Sequence, residues 1–213
     1  MTRVLMALLR RVGAPLALGM GAAAALVPAA AMAQARDAQA EAYVDANARR
    51  VLGVLNDHHL SVEGRRQAFH TLIGELVDWP RLTRFVLGKY ARTATPDQFQ
   101  RFAAAYRTYE EGVYQRRIDD YKGERAVVSG SLIRKPGDVI VTTLLSGGQS
   151  PQPTALSWRV LGGGAGWKVV DVEVKGVWLA ITQQQDFVST IDNAGGKIDV
   201  LTAQLARNEA PRR

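Results

Sequence analysis

The hydrophobic pattern of the chain changes period at Gly123, and this change constrains the fold more than any other feature. Before Gly123, apolar residues recur at three- and four-residue spacing, as in helices. After it, four stretches are rich in strand-forming residues, and the third alternates clearly between apolar and polar positions. Because short turns rich in glycine and proline separate the four, we predict an antiparallel meander with helices covering one face. The predicted strands are residues 125–134, 138–146, 154–161 and 166–175.

Six helices are predicted to flank these strands in the sequence. Ser61 is typical of an N-cap, and Pro80 suits a first helical position. Thr95, Pro96 and Gln98 form the signature of a capping box, so the helix that follows has the best-defined start. The predicted helices cover residues 37–56, 61–77, 80–88, 96–121, 178–193 and 197–208.

The fourth of these helices carries the most aromatic stripe of the chain. Its apolar face contains Phe99, Phe102, Tyr106, Tyr109 and Val113. A half-open sheet covered by this stripe either closes into a solid core or encloses an apolar cavity. The solid core would suit a pure interaction module, whereas the cavity would suit a protein that holds an apolar ligand. Residue spacing leaves both open, because both place the same side chains on the inner face.

The N-terminal segment has the features of an export signal. Three arginines precede an apolar run over residues 12–27, which is shorter than the roughly 20 residues of a membrane-spanning helix, and Ala31 and Ala33 suit a cleavage site. We predict that residues 1–33 are a cleaved signal peptide, with a retained anchor as the alternative. Residues 34–213 would then form one domain, soluble in the periplasm or outside the cell. Loss of the three arginines lowers the formal net charge from +7 to +4.

The chain contains no cysteine. A disulfide framework, a thiolate metal site, a cysteine nucleophile and a lipid-modified N-terminal cysteine are therefore excluded. The basic residues do not form a nucleic-acid patch, because they are spread over helix ends and Arg116 and Arg117 are followed by Asp119 and Asp120. A weak attraction to anionic membrane surfaces is the milder expectation.

Residues that could carry chemistry are few. His58 and His59 are adjacent, so they point apart and indicate a solvated turn, not a metal site. The glycines of residues 162–166 lie between strands and lack the lysine of a phosphate-binding loop. We therefore predict no metal and no catalytic residue. The alternative left open is an exported enzyme that uses Asp171 or His70 as its acid or base.

Two blocks of sequence resemble the MlaC family, also called the toluene-tolerance family, of periplasmic phospholipid-binding proteins in the Mla pathway. The first block is residues 77–96, where the matching positions are Asp78, Trp79, Arg84, Leu87 to Tyr90, Arg92 and Ala94 to Pro96. The second is residues 166–177, which is similar to the family's Trp-Lys-Val-x-Asp-Val strand. With the elements in the same order, the resemblance covers the whole predicted mature chain.

This resemblance implies an α+β fold in which a curved antiparallel sheet of four or slightly more strands packs against a helical layer as an NTF2-like cone with an apolar cavity. It implies a lipid carrier that is no enzyme and needs no cofactor, with bound phospholipid as cargo. The implied partners are an outer-membrane lipoprotein complex and an inner-membrane ABC transporter bearing an MCE-domain ring, with transient membrane contact. The implied role is lipid transport between the two membranes, which maintains outer-membrane lipid asymmetry.

The residues expected to line the cavity were chosen for their apolar character and predicted facing within this resemblance. They are Leu82, Phe85, Val86, Tyr90, Phe102, Tyr106, Val113, Val141, Leu156, Trp158, Val170, Val172, Trp178 and Leu179.

Three positions depart from the family's pattern. Trp178 replaces a usual serine, Gln184 stands where arginine is usual, and Ala91 replaces an aromatic residue. The loss of a cation at Gln184 weakens the case for a specific contact to a head-group phosphate. These departures leave open an alternative in which the ligand is a hopanoid or another amphiphile.

Overall fold

The computed structural model of the protein describes residues 35–118, 123–147, 152–163 and 166–207. The predicted signal peptide and the predicted helix ends at residues 119–121 and 208 lie outside these residues. The helices are α1 (Ala38–Asn56), α2 (Val62–Leu76), α3 (Trp79–Leu87), a short 3₁₀ helix (Gly88–Arg92), α4 (Pro96–Ile118), α5 (Leu179–Asn193) and α6 (Ile198–Ala206).

Within the described residues, five strands form one antiparallel curved sheet in the order of the chain, which confirms the predicted meander. They are β1 (Arg125–Lys135), β2 (Asp138–Ser146), β3 (Thr154–Leu161), β4 (Lys168–Val174) and β5 (Val177–Trp178). The short β5 is an addition to the prediction, which placed Trp178 at the start of a helix. It exists because Lys175 and Gly176 have φ of 51° and 82°, as a tight hairpin turn requires, so that Val177 pairs with Val174.

Side-chain caps start α2, α3 and α4, and the sequence predicts those of α2 and α4. The capping box of α4 is present: the Gln98 backbone N–H donates to the Thr95 hydroxyl, and the Thr95 backbone N–H donates to the Gln98 side-chain oxygen, both at 3.1 Å. The Ser61 hydroxyl accepts from the Gly64 N–H at 3.0 Å, and an Asp78 carboxylate oxygen accepts from the Arg81 N–H at 3.1 Å.

The described residues form two hydrophobic clusters in the interior. The helical core joins α3, α4, α5 and α6, and its centre is an aromatic group in which Phe102 stacks on Tyr106 at 5.8 Å between ring centroids and Phe187 meets both rings edge-on. The sheet core packs α1 against β2, β3 and β4 through residues that include Val44, Val141 and Val160. None of the helices among the described residues combines the length and hydrophobicity that a bilayer-spanning segment requires.

Candidate functional site

Two adjacent cavities lie along β4. The larger, here called the α4 cavity, has a volume of about 370 Å³ and is bounded by α3, α4, α5 and β4. The smaller, here called the α1 cavity, has a volume of about 250 Å³ and is bounded by α1, α2, β3 and β4. Both are lined mainly by apolar side chains, as sites for apolar ligands are. Along the aromatic stripe of α4, Phe102 lies wholly in the helical core, Tyr106 packs in that core and also lines the cavity, and Val113 lines the cavity.

A β-bulge lets β4 serve both cavities. Val160 pairs with Val169 and Arg159 pairs with Asp171, so Val170 has no partner in β3. Residues 169–172 all line the α4 cavity. In a regular strand, two of these four side chains would point to the other face of the sheet. Five residues line both cavities, and they are Val77, Val169, Val172, Val174 and Leu179.

The hairpin between β4 and β5 gives the cavities an apolar rim. Val177 lines the α4 cavity and is 47% exposed, and Leu179 lines both cavities and is 42% exposed. Residues that face a cavity and solvent at once mark its mouth. An apolar ligand can thus pass between the surface and the interior along apolar side chains.

One wall of the α4 cavity is polar. The Tyr106 hydroxyl donates to the Gln183 side-chain oxygen at 2.8 Å, and the Gln183 amide donates to the Glu110 carboxylate. Glu110 is buried and faces the same cavity. This chain of hydrogen bonds joins α4 to α5 and holds a carboxylate beside the apolar lining.

Asp171 is a buried carboxyl group that accepts hydrogen bonds from the backbone. One of its oxygens accepts from the backbone N–H groups of Val172 and Ala180, each at 2.8 Å. Ala180 lies in the first turn of α5, so Asp171 caps that helix from the sheet. Burial raises the pKa of Asp171, and these backbone N–H groups oppose that rise.

His70 and Asp171, the candidate acid or base of the enzyme alternative, do not lie together in one site. His70 Nε2 lies 2.5 Å from a Glu111 carboxylate oxygen, and both side chains are about a third exposed. Neither residue lines the α1 or the α4 cavity, whereas Asp171 lines the α4 cavity and bonds to backbone N–H groups. Within the described part of the chain, no three histidine or acidic side chains are grouped as metal ligands.

Eight of the predicted lining residues do line a cavity in the structure. Leu82, Tyr106, Val113, Val170, Val172 and Leu179 line the α4 cavity, and Leu156, Trp158, Val172 and Leu179 line the α1 cavity.

The other six predicted lining residues lie elsewhere. Val86 and Phe102 are fully buried in the helical core and Val141 in the sheet core, where they pack against protein atoms. Phe85 is 37% exposed. Tyr90 bonds through its hydroxyl to Asp192 at an exposed site, and Trp178 ends β5. Helical spacing and strand alternation select an inward face, but they do not show which part of that face is filled by neighbouring side chains.

The sequence prediction missed the α1 and α2 walls of the smaller cavity. Helical spacing does not show how α1 and α2 face the sheet, because that orientation is a tertiary property. The additional lining residues on these helices are Tyr43, Val44, Asn47, Ala48, Val51, Phe69, Ile73 and Leu76.

Gln184, the position where the family usually has arginine, does not line either cavity. Its side-chain amide donates to the Phe85 carbonyl oxygen at 2.5 Å and so links α5 to the end of α3.

The chain is similar to known proteins in fold and in sequence. The fold is similar to the solved structure of the phospholipid-binding protein from Ralstonia solanacearum in complex with a phospholipid, with a TM-score of 0.69 and 24% sequence identity. The alignment covers 79% of this chain and 96% of that chain. The family model described as MlaC protein matches residues 45–207, so the chain belongs to the MlaC family.

Proposed function

We propose that this protein is a phospholipid carrier that buries acyl tails in the two cavities and leaves the head group near the mouth. The observation that carries the proposal is the pair of apolar cavities that share β4 and reach the surface at Val177 and Leu179. Burial of each methylene group of a tail contributes about 0.8 kcal/mol to the binding free energy. Long tails therefore need apolar volume and little polar recognition. The proposed tail contacts are the eight predicted residues that line a cavity.

Family membership and the phospholipid held by the Ralstonia solanacearum protein support this ligand class. We further propose that residues 1–33 are removed on export and that the remaining chain works in the periplasm. It would carry lipid between an outer-membrane lipoprotein complex and an inner-membrane ABC transporter with an MCE-domain ring, touching membranes only transiently. Such a carrier performs no chemistry and needs no cofactor.

The test is to express the full chain in a Gram-negative host, purify it from the periplasm and measure bound lipid by native mass spectrometry and lipid extraction. We expect cleavage after Ala33 and one copurified phospholipid per chain. A protein that carries no lipid, and takes none from phosphatidylethanolamine and phosphatidylglycerol vesicles, would overturn the carrier function. A hopanoid in the extract would replace phospholipid as the ligand. Lipid transfer to membranes containing the MCE transporter, compared with membranes lacking it, tests the proposed partner.

A further inference from the structure

We infer that the two cavities are separate compartments for the two acyl chains of one lipid, which straddles the end of β4. This inference rests on the proposed function and adds a division of the ligand between two sites. Val172, Val174 and Leu179 line both cavities, and Val174 pairs with the exposed Val177 at the mouth. A lipid whose glycerol lies at this mouth can send one chain to each side of the shared side chains.

The walls beyond this shared strip are different. Ala48 and Val51 of α1 line only the smaller cavity, while Leu82 of α3 and Val113 of α4 line only the larger. Sites for small molecules commonly have volumes of about 300–1,000 Å³. The two cavities, at about 370 and about 250 Å³, lie near or below the lower end of that range, and side by side they provide more apolar space than either alone. One chain in each cavity therefore uses volume that two chains in a single cavity would not have.

Electrostatics place the phosphate outside the larger compartment. Glu110 and Asp171 are both buried and both line the α4 cavity. An anionic phosphate moved from water into this mainly apolar space, beside two buried carboxyl groups, would lose much of its hydration energy. The head group therefore stays at the mouth and only hydrocarbon enters.

The inference predicts a stoichiometry that can be counted. The delipidated wild-type protein should bind one palmitoyl-oleoyl phosphatidylethanolamine or two palmitoyl lysophosphatidylethanolamine molecules in native mass spectrometry. Ala48→Phe should fill the α1 cavity and Val113→Phe the α4 cavity. Each variant should bind a single lysolipid and lose at least tenfold in affinity for the two-chain lipid. Val200→Phe, at an exposed position on α6 that lines neither cavity, is the matched control and should behave as wild type.

Two outcomes would overturn the compartments while leaving the carrier function intact. One is a wild-type protein that binds the two-chain lipid but only one lysolipid, and the other is an Ala48→Phe variant that keeps wild-type affinity for the two-chain lipid. If the wild-type protein binds neither lipid, the proposed function itself fails. Thermal melts identify a variant that does not fold, and Val51→Phe and Leu82→Phe then provide the same test of each compartment.

Discussion

Arg159 of β3 holds Asp138 of β2 by a two-point ion pair. Arg159 Nε lies 3.0 Å from Asp138 Oδ1 and the terminal guanidinium nitrogen lies 2.9 Å from Oδ2. The Asp138 side chain is only 3% exposed, so the pair is formed largely out of water. Because Ile140 pairs with Arg159 in the ladder, the ion pair reinforces the sheet next to the strand that carries the bulge.

This ion pair makes stability depend on pH. The hydrogen bonds from Arg159 lower the pKa of Asp138 below its ordinary value. The stabilisation is therefore complete above the ordinary aspartate pKa of about 3.9 and is lost as the pH falls through the lower folded-state pKa. Asp138→Asn should reduce the free energy of unfolding by about 2 kcal/mol at neutral pH and flatten its acid dependence. Urea unfolding across the acidic range measures both effects.

The exposed pair between Asp45 and Arg49 of α1 is the control for this measurement. Its nitrogen and oxygen are 2.6 Å apart, but the arginine is 74% exposed. Exposed helix pairs contribute little, so Asp45→Asn should change stability by less than about 1 kcal/mol. Equal losses in the two variants would contradict the assignment of the Asp138 pair as a structural bond.

Asp171 should matter as a hydrogen-bond acceptor and not as a charge. Asp171→Ala leaves the N–H groups of Val172 and Ala180 without this acceptor, and should cost about 1–3 kcal/mol of unfolding free energy. Asp171→Asn keeps an acceptor oxygen and should retain most of the stability. Because burial raises the pKa of Asp171, its ionisation costs stability as the pH rises through the folded-state value.

Urea unfolding at several pH values separates these two variants. Relative to wild type, Asp171→Asn should gain stability with rising pH, because it cannot ionise. If Asp171→Asn lost as much unfolding free energy as Asp171→Ala at every pH, the carboxylate charge itself would be required.

Much of the fold follows from local sequence signals. The capping residues Ser61 and Thr95 start helices as predicted, and the turns at residues 136–137 and 162–163 separate strands as predicted. The fifth strand escaped prediction because it needs Lys175 at positive φ, a conformation that non-glycine residues rarely adopt. A two-residue strand also carries too little periodicity to be recognised.

The site was harder to predict than the fold. Tyr106 and Phe102 belong to one apolar stripe, yet only Tyr106 reaches a cavity, because Phe187 and α6 fill the space around Phe102. The bulge at Val170 also breaks the alternation on which strand facing was predicted. Both outcomes depend on contacts between distant elements, which a local pattern does not encode.

Gly88 and Gly53 should respond oppositely to alanine. Gly88 has a φ of 53°, and a Cβ placed there would lie 2.8 Å from a Val188 methyl carbon. Gly88→Ala should therefore destabilise the junction of α3 and α5 by about 1–2 kcal/mol. Gly53 lies inside α1 with no atom within 4 Å of such a Cβ, so Gly53→Ala should stabilise the helix by about 0.5–1 kcal/mol. Thermal unfolding of the two variants compares them directly, and a stable Gly88→Ala protein would contradict the close approach.

Val172→Glu should empty the cavities without unfolding the protein. Val172 is partly buried and lines both cavities, so a glutamate there puts a charge against each proposed acyl chain. Burial of an unpaired carboxylate beside hydrocarbon costs several kcal/mol, which opposes lipid binding when the ligand would seal the site. The apo protein can hydrate the same carboxylate through the mouth, so its fold should persist.

Copurified lipid per chain and the thermal melting temperature give the two required readings for Val172→Glu. Val200→Glu introduces the same charge on the exposed face of α6 and should keep wild-type lipid content. Tyr106→Glu is unsuitable as a test, because Tyr106 is 1% exposed and packs against Phe102 and Phe187 in the helical core. A folded Val172→Glu protein with full lipid occupancy would remove Val172 from the lipid-binding surface.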